Sequence, residues 1–325
     1  MGHYLLKRLG ELALVIFLGI SLTFFIIHLA PGDPTLRFLN PNSSPEVQQK
    51  MIERFGLDKS LITQYFLWLD QVFLHANFGH SLANGQPAGE LVWQALGPTL
   101  LLCGLALLIA IISGISLGIY SATRPDSCSD RFTTGIMFFF YSMPSFWLGL
   151  LLLSLFAVKL HWLPTGQMVS LFHDQLSGGQ KFVDYTRHLL LPVLTLGLSL
   201  SGLYYRYMRS SLTENLNSEY ITAARARGLN ERKIIFKYAI PNALLPQISL
   251  IGMSVPLLFS GAVVLEVVFS LPGIGRLMAD AVMARDYPVI LTASILAFSA
   301  VVLGNFLADL VYQLVDPRIR EIKRT

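Results

Sequence analysis

Six stretches of the chain carry no Asp, Glu, Lys or Arg over 18 residues or more: 12–32, 91–123, 132–158, 188–205, 238–265 and 287–308. About 20 apolar residues in a helix cross the hydrocarbon core of a bilayer. The pattern therefore predicts an all-α membrane protein of six transmembrane helices. Polar segments divide it into residues 1–30 (N-terminal segment and first span), 31–90 (an outer loop), 91–313 (the transmembrane core) and a tail at 314–325. Pro144, Pro192 and Pro256 fall inside spans, where a missing N–H and a bulky ring bend a helix.

Two polar segments show helical periodicity. In 31–90, Ser44-Pro45 offers an N-cap followed by Pro at the first helical position. Val47, Met51 and Phe55 follow at helical spacing, and Gly56 can stop the helix. Leu61, Tyr65, Trp68, Leu69 and Val72 line one face of a second helix, which can rest on the bundle or on lipid headgroups. The segment 206–237 holds seven basic and three acidic residues. Ser218 is an N-cap candidate before Glu219–Arg227, Gly228 can take the left-handed C-cap, and Asn230 can cap a second short helix. Ala223, Ala224 and Ala226 leave part of the first helix nearly free of bulk. Either another protein approaches that backbone, or the patch packs within the subunit.

Composition agrees with the spans: of 325 residues, 53% are hydrophobic and 14% charged, against about 25% charged in soluble domains. Disorder, a disulfide scaffold and a nucleic-acid binder are excluded on these grounds. Cys103 lies in a span and Cys128 in a short loop. Lys7 and Arg8 before an apolar run resemble a signal peptide. The run at 12–27 is longer than an h-region of about 7–15 residues, and His28-Leu29-Ala30 is a poor cleavage site, so a retained span is expected. With the N-terminus inside, the inner segments hold 15 of the 24 basic residues. The outer segments hold five once the long, weakly determining loop 31–90 is set aside. Both termini are expected in the cytoplasm.

Several motifs test for chemistry. Leu176-Ser177-Gly178-Gly179-Gln180 spells the phosphate-contacting LSGGQ of ABC ATPases. The chain has no Gly-Lys pair and hence no P-loop to hold phosphates, so the match reads as chance in a flexible loop. Gly114-Ile115-Ser116-Leu117-Gly118 matches the G-x-S-x-G of serine hydrolases, with His28 and His188 as span-associated partners. It also reads as G-x-x-x-G, a close-packing seam for membrane helices. Ser116→Ala separates the two readings. His161 and His173 are isolated in sequence, and no spacing suggests a metal site. No span carries an ion pair suited to a proton relay; Glu266 and Asp309 lie near span ends.

Ala223-Ala224, three residues, Gly228, nine residues and Tyr238-Ala239-Ile240-Pro241 resemble the EAA loop of ABC importer permeases, E-A-A-x3-G-x9-I-x-L-P. Thr222, Tyr238 and Ile240 depart from that pattern. Further segments are similar to the dipeptide/oligopeptide/nickel permease family: Ala30-Pro31-Gly32-Asp33-Pro34, Asn77-Phe78-Gly79-His80-Ser81, Ser142-Met143-Pro144-Ser145-Phe146-Trp147-Leu148-Gly149, the run 219–229, the run 266–276, Arg285-Asp286-Tyr287-Pro288 and Asp316-Pro317-Arg318. The resemblance covers nearly the whole chain.

It implies the type I ABC importer permease fold in a bacterial inner membrane, in a subunit that is not itself an enzyme. The chain would bind no cofactor, with ATP and Mg on partner subunits. Expected partners are a second homologous permease, two ABC ATPases and an extracytoplasmic substrate-binding protein. A coupling loop at 206–246 would seat Tyr220, Thr222, Ala223, Ala224, Arg227, Gly228, Leu229 and Pro241 against an ATPase. Glu266, Phe269, Pro272, Gly273 and Gly275 would shape an outer gate. Peptides are the expected cargo, with nickel or a metal chelate as the alternative and a membrane-embedded serine hydrolase as the rival from another class.

Overall fold

The computed structural model describes residues 2–29, 59–260 and 262–315, with side chains at 10–29, 59–259 and 262–306. The helix expected at 45–55 and the motifs at 30–34 and 316–318 lie outside the described residues. Helix α1 is Gly2–Leu29 and α2 is Leu61–His75. The long α3, Ala88–Ala122, precedes α4, Cys128–Ser142, and α5, Ser145–Leu152. Helix α6 is Gly178–Leu216, followed by the short α7, Glu219–Ala226. Then come α8 (Glu231–Lys233), α9 (Ile240–Ala243), α10 (Leu245–Ser254), α11 (Leu257–Ser260) and α12 (Val263–Val268). Helices α13, Ile274–Ala284, and α14, Tyr287–Val315, complete the described chain.

Among the described residues, four stretches are uninterrupted and apolar enough to cross a membrane: Gly10–Leu29, Ala88–Ala122, Gly178–Leu216 and Tyr287–Phe306. The other two expected spans are broken. Cys128–Ser142 and Ser145–Lys159 meet at 103°, and Glu231–Ala243 and Leu245–Phe259 at 41°. The first break has a local cause. The ring of Pro144 disfavours the helical region for the residue before it, and Met143 is extended at φ −83°, ψ 129°. Around the second break, Pro241, Pro246 and Pro256 fall close together, and the stretch 238–265 is a chain of short helices rather than one rod. Pro98 and Pro192 sit inside unbroken helices, so proline alone does not decide where a span breaks.

The central contact is α3 on α6. A Cβ on Gly114 would sit 2.6 Å from Cβ of Tyr204, and one on Gly118 would sit 2.7 Å from Cβ of Met208. Gly202 gives α4 the same access: a Cβ there would stand 2.6 Å from Cβ of Tyr141. Glycine lets membrane helices approach until their backbones touch. Beside this seam lies a cluster of Leu102, Cys103, Ala106, Leu189, Leu265 and Phe269. The LSGGQ segment is not a flexible loop: Ser177 and Gln180 form a capping box at the start of α6.

Helix α2 rests on the bundle. Tyr65 and Val72 are buried, and Tyr65 packs with Phe24 of α1 and Leu291 of α14. Ser60 caps the helix by accepting the Thr63 N–H, and Ala76 closes it in the left-handed conformation.

Candidate functional site

At the basic end of the bundle, α7 is a two-turn helix held by its buried Ile221 and Ala224. They join Met208 and Leu212 of α6, together with Ile234, Ala239 and Ala243. Its C-terminus is a Schellman motif: Leu229 N–H donates to Ala224 C=O at 3.3 Å and Gly228 N–H to Arg225 C=O at 2.9 Å. Gly228 has φ +75°, a conformation that costs a residue with a Cβ. Leu229 turns back onto the same cluster, which supplies the apolar contact that accompanies this motif.

The expected coupling residues therefore divide. Tyr220, Thr222, Ala223, Arg227, Gly228 and Pro241 are exposed, whereas Ala224 is buried and Leu229 partly so. Ala224 is a packing residue of the subunit, which corrects its assignment to the docking surface. For the patch of Ala223, Ala224 and Ala226 the sequence leaves both readings open, a partner's approach or packing within the subunit. One residue of helix turns a side chain by about 100°, so Ala224 packs inward while Ala223 and Ala226 stay exposed. Tyr220 is fixed by donating its hydroxyl to Oδ1 of Asn215 at 2.7 Å, and it accepts from Nδ2 of Asn242 at 3.3 Å. Arg225 pairs with Glu231 across the Gly228 turn at 2.7 Å. One π turn, Ile234–Ala239, leads into Pro241. A regular α turn would bring the proline ring against a preceding carbonyl, and the wider turn gives it room.

At the opposite end, the residues expected to shape a gate are mostly internal. Glu266 is fully buried and Phe269 is 1% exposed. Gly273 and Gly275 are buried; Pro272 is exposed. Glu266 accepts from the Thr99 hydroxyl at 2.8 Å and from Arg276 N–H at 2.9 Å. The Thr99 oxygen in turn accepts from Ile274 N–H at 2.8 Å. The carboxylate thus satisfies first-turn donors of α13, where helix N–H groups lack partners and negative charge is favoured. The glycines are needed for access: a Cβ on Gly273 would strike the Glu266 carboxylate, and one on Gly275 would lie 2.7 Å from Cα of Val263.

Two other motifs far apart in sequence meet nearby. Buried Asp286 accepts from the Ser81 hydroxyl, from Leu82 N–H at 3.0 Å and from Ala83 N–H at 3.3 Å. It pins the turn 81–85 to the junction of α13 and α14.

Two clusters escaped the sequence reading. Asp130 is buried and pairs with Arg209, Nη2 to Oδ2 at 2.9 Å and Nε to Oδ1 at 3.0 Å. It also accepts from Ser121, whose hydroxyl bonds that of Tyr205 at 2.7 Å. The signal was present: Ser127 caps α4 by accepting the Asp130 N–H at 3.1 Å, and Ser-x-x-Asp marks a helix start rather than a loop. His173 is not isolated either. It lies 2.7 Å from Asp184, with His188 3.3 Å from the other carboxylate oxygen.

Gly114 and Gly118 form the α3–α6 seam, and Ser116 between them is exposed. His28 stacks on Phe24 and His188 bonds Asp184, so neither histidine is engaged with Ser116.

Comparison with known proteins gives consistent matches. The family described as the binding-protein-dependent transport system inner membrane component matches residues 114–321, and its N-terminal counterpart matches residues 1–90. The oligopeptide transport system permease protein AppB of Bacillus subtilis is 37% identical over 98% of this chain and 99% of its own length. The dipeptide transport system permease protein DppB of Escherichia coli K12 is 36% identical over 99% of this chain and 100% of its own. Among solved structures, an inward-facing form of the MetNI methionine ABC transporter aligns with TM-score 0.50 at 17% identity, covering 70% of this chain and 96% of that one. These matches, with the packed glycines, overturn the serine-hydrolase alternative.

Proposed function

The chain belongs to the family of binding-protein-dependent transport system inner membrane components, and from that premise we propose that it is the permease subunit of an ATP-driven importer of peptides. Its fold is the all-α type I importer permease fold. The observation that carries the cargo reading is the end-to-end similarity to relatives named oligopeptide and dipeptide permeases. In this reading a second homologous permease completes the translocation path, and a binding protein delivers peptide from outside. Two cytoplasmic ATPases carry ATP and Mg. Both termini of the chain are cytoplasmic, in accord with the distribution of Lys and Arg.

Coupling follows from the exposed edge of α7. Tyr220, Thr222, Ala223 and Arg227 present a low, partly basic surface on a helix whose other side is packed into the bundle. An ATPase cleft closing on that helix would move α6 and the α8–α9 segment with it, because Ile221 and Ala224 tie all three together. The bundles would then rock as rigid bodies. Near the opposite end, Glu266 and Asp286 keep the 266–276 segment and the 81–85 turn rigid, so that any gate there moves as a block.

The test is reconstitution of the permease with its partner permease, ATPases and binding protein in proteoliposomes. ATP-dependent accumulation of labelled di- and oligopeptides is the expected result. Accumulation of nickel or another metal chelate, with no peptide uptake, would overturn the cargo reading.

A further inference from the structure

Helix α2 is apolar over a wider arc than the bundle covers. Leu61, Tyr65, Trp68 and Val72 pack towards α1 and α14 or lie beside that contact. Ile62, Phe66 and Phe73 are 64%, 62% and 58% exposed. At 3.6 residues per turn these three fall within about 40° of one another, on the flank next to Tyr65. Beyond that flank Leu74 and Leu67, 76% and 43% exposed, follow Asp70 and Thr63, and the polar edge proper is at Gln71 and Gln64.

The depth of this open flank is set by what its neighbour touches. The Tyr65 hydroxyl lies 2.6 Å from Oγ of Ser21. The Tyr65 ring centroid lies 5.3 Å from that of Phe24 and 5.1 Å from that of Phe25, and Trp68 lies 5.3 Å from Phe24. Ser21 precedes Leu29, the end of the α1 span, by eight residues, or about 12 Å of helix; Phe25 precedes it by about 6 Å. The whole Gly10–Leu29 span measures about 30 Å, the thickness of the hydrocarbon core. Helix α2 therefore lies against a part of α1 that is itself within the bilayer. At that depth α1 exposes Leu22 and Ile26, 62% and 58% accessible. The open flank of α2 occupies the same layer as this apolar row.

We propose that α2 is an interfacial helix whose Ile62–Phe66–Phe73 flank is inserted among the acyl chains of the leaflet at the C-terminal end of α1. The occupant is lipid. A helix with one apolar arc and one polar edge settles in the plane of the membrane interface with its apolar side in the acyl boundary. Here the arc is divided between the subunit and the lipid. The consequence is that the segment before α3 is anchored by the bilayer as well as by the bundle.

The experiment uses the assembled transporter in nanodiscs of phosphatidylethanolamine and phosphatidylglycerol. Nitroxide labels are placed at Ile62→Cys, Phe66→Cys, Phe73→Cys and, on the exposed polar edge, Gln71→Cys in a Cys128→Ser background; Cys128 is exposed and Cys103 fully buried. Oxygen concentrates in hydrocarbon, and a nickel chelate stays in water. The expected result is an oxygen-to-chelate collision ratio several-fold higher at 62, 66 and 73 than at 71. Labels at 62, 66 and 73 as open to the chelate as the one at 71 would overturn the proposal, because the flank would be in water. Shielding from both reagents would overturn it too, because the flank would be covered by protein. Three flank positions keep the test decisive if one variant fails to assemble.

Discussion

Near the end of the bundle that carries the 266–276 segment, two buried carboxylates hold the chain. Glu266 gathers Thr99 and the first turn of α13, and Asp286 gathers the 81–85 turn across some 200 residues of sequence. At the basic end the buried carboxylate, Asp130, joins α4 to α6 through Arg209, and α7 itself has no such anchor. It leans on the bundle through Ile221 and Ala224 and leaves Thr222, Ala223 and Arg227 open. The two ends contain the chain's most distinctive motifs, yet the motifs differ in kind. The first set is satisfied within the subunit. The second is half satisfied, and its open half is the part available to a partner. A motif residue that is buried and hydrogen-bonded explains the fold; one that is exposed on a firmly seated helix calls for an explanation outside the chain.

Substitutions on both sides of this contrast sharpen it. The largest effect is expected for Ala224→Glu, which places a charge in the Met208–Leu212–Ile234 cluster. An unpaired buried charge costs several kcal/mol, so the purified protein should elute as an aggregate or unfold at far lower temperature by fluorescence-detected size exclusion. A stable monodisperse Ala224→Glu protein would break the division between the two faces of α7.

Next is Glu266→Ala. It strands the Arg276 N–H and leaves Thr99 short of a partner, at a cost of about 1–3 kcal/mol for each buried unsatisfied group. Glu266→Gln retains one acceptor oxygen and should recover part of the loss of thermal stability. Asp286→Ala should act more locally, with faster amide exchange at Leu82 and Ala83 and little change in α7. Gly228→Ala is the mildest of these: forcing a Cβ into the left-handed cap costs about 1 kcal/mol, read as a small drop in melting temperature.

The apolar stretches and the caps made much of this architecture legible from the chain alone. Gly228 and Asn230 stand where local chemistry puts them, because capping depends on residues close in sequence; Ser218 holds the N-cap position, but its hydroxyl donates to Asn215 C=O rather than capping α7. What could not be read was long-range. No periodicity tells that Asp286 reaches Ser81, that Glu266 reaches Thr99, or that Asp130 is neutralised by Arg209 rather than solvated in a loop. The broken spans were hidden too. Pro144, Pro192 and Pro256 look equivalent in sequence, yet α6 stays whole around Pro192 while the chain turns by 103° at Pro144, where Met143 is extended. Within the candidate site, the small-residue helix and its glycine stop were legible, but the side of the helix facing the bundle was not.

The measurement that bears most directly on the account is Ala223→Glu in the assembled system. Ala223 is exposed beside buried Ala224, so the account predicts a variant that inserts in the membrane and melts like the wild type. It should fail to retain the ATPase subunits in pull-down and lose peptide-stimulated ATP hydrolysis. An Ala223→Glu permease that still binds its ATPases and transports at the wild-type rate would contradict the claim that the open face of α7 is where the two meet.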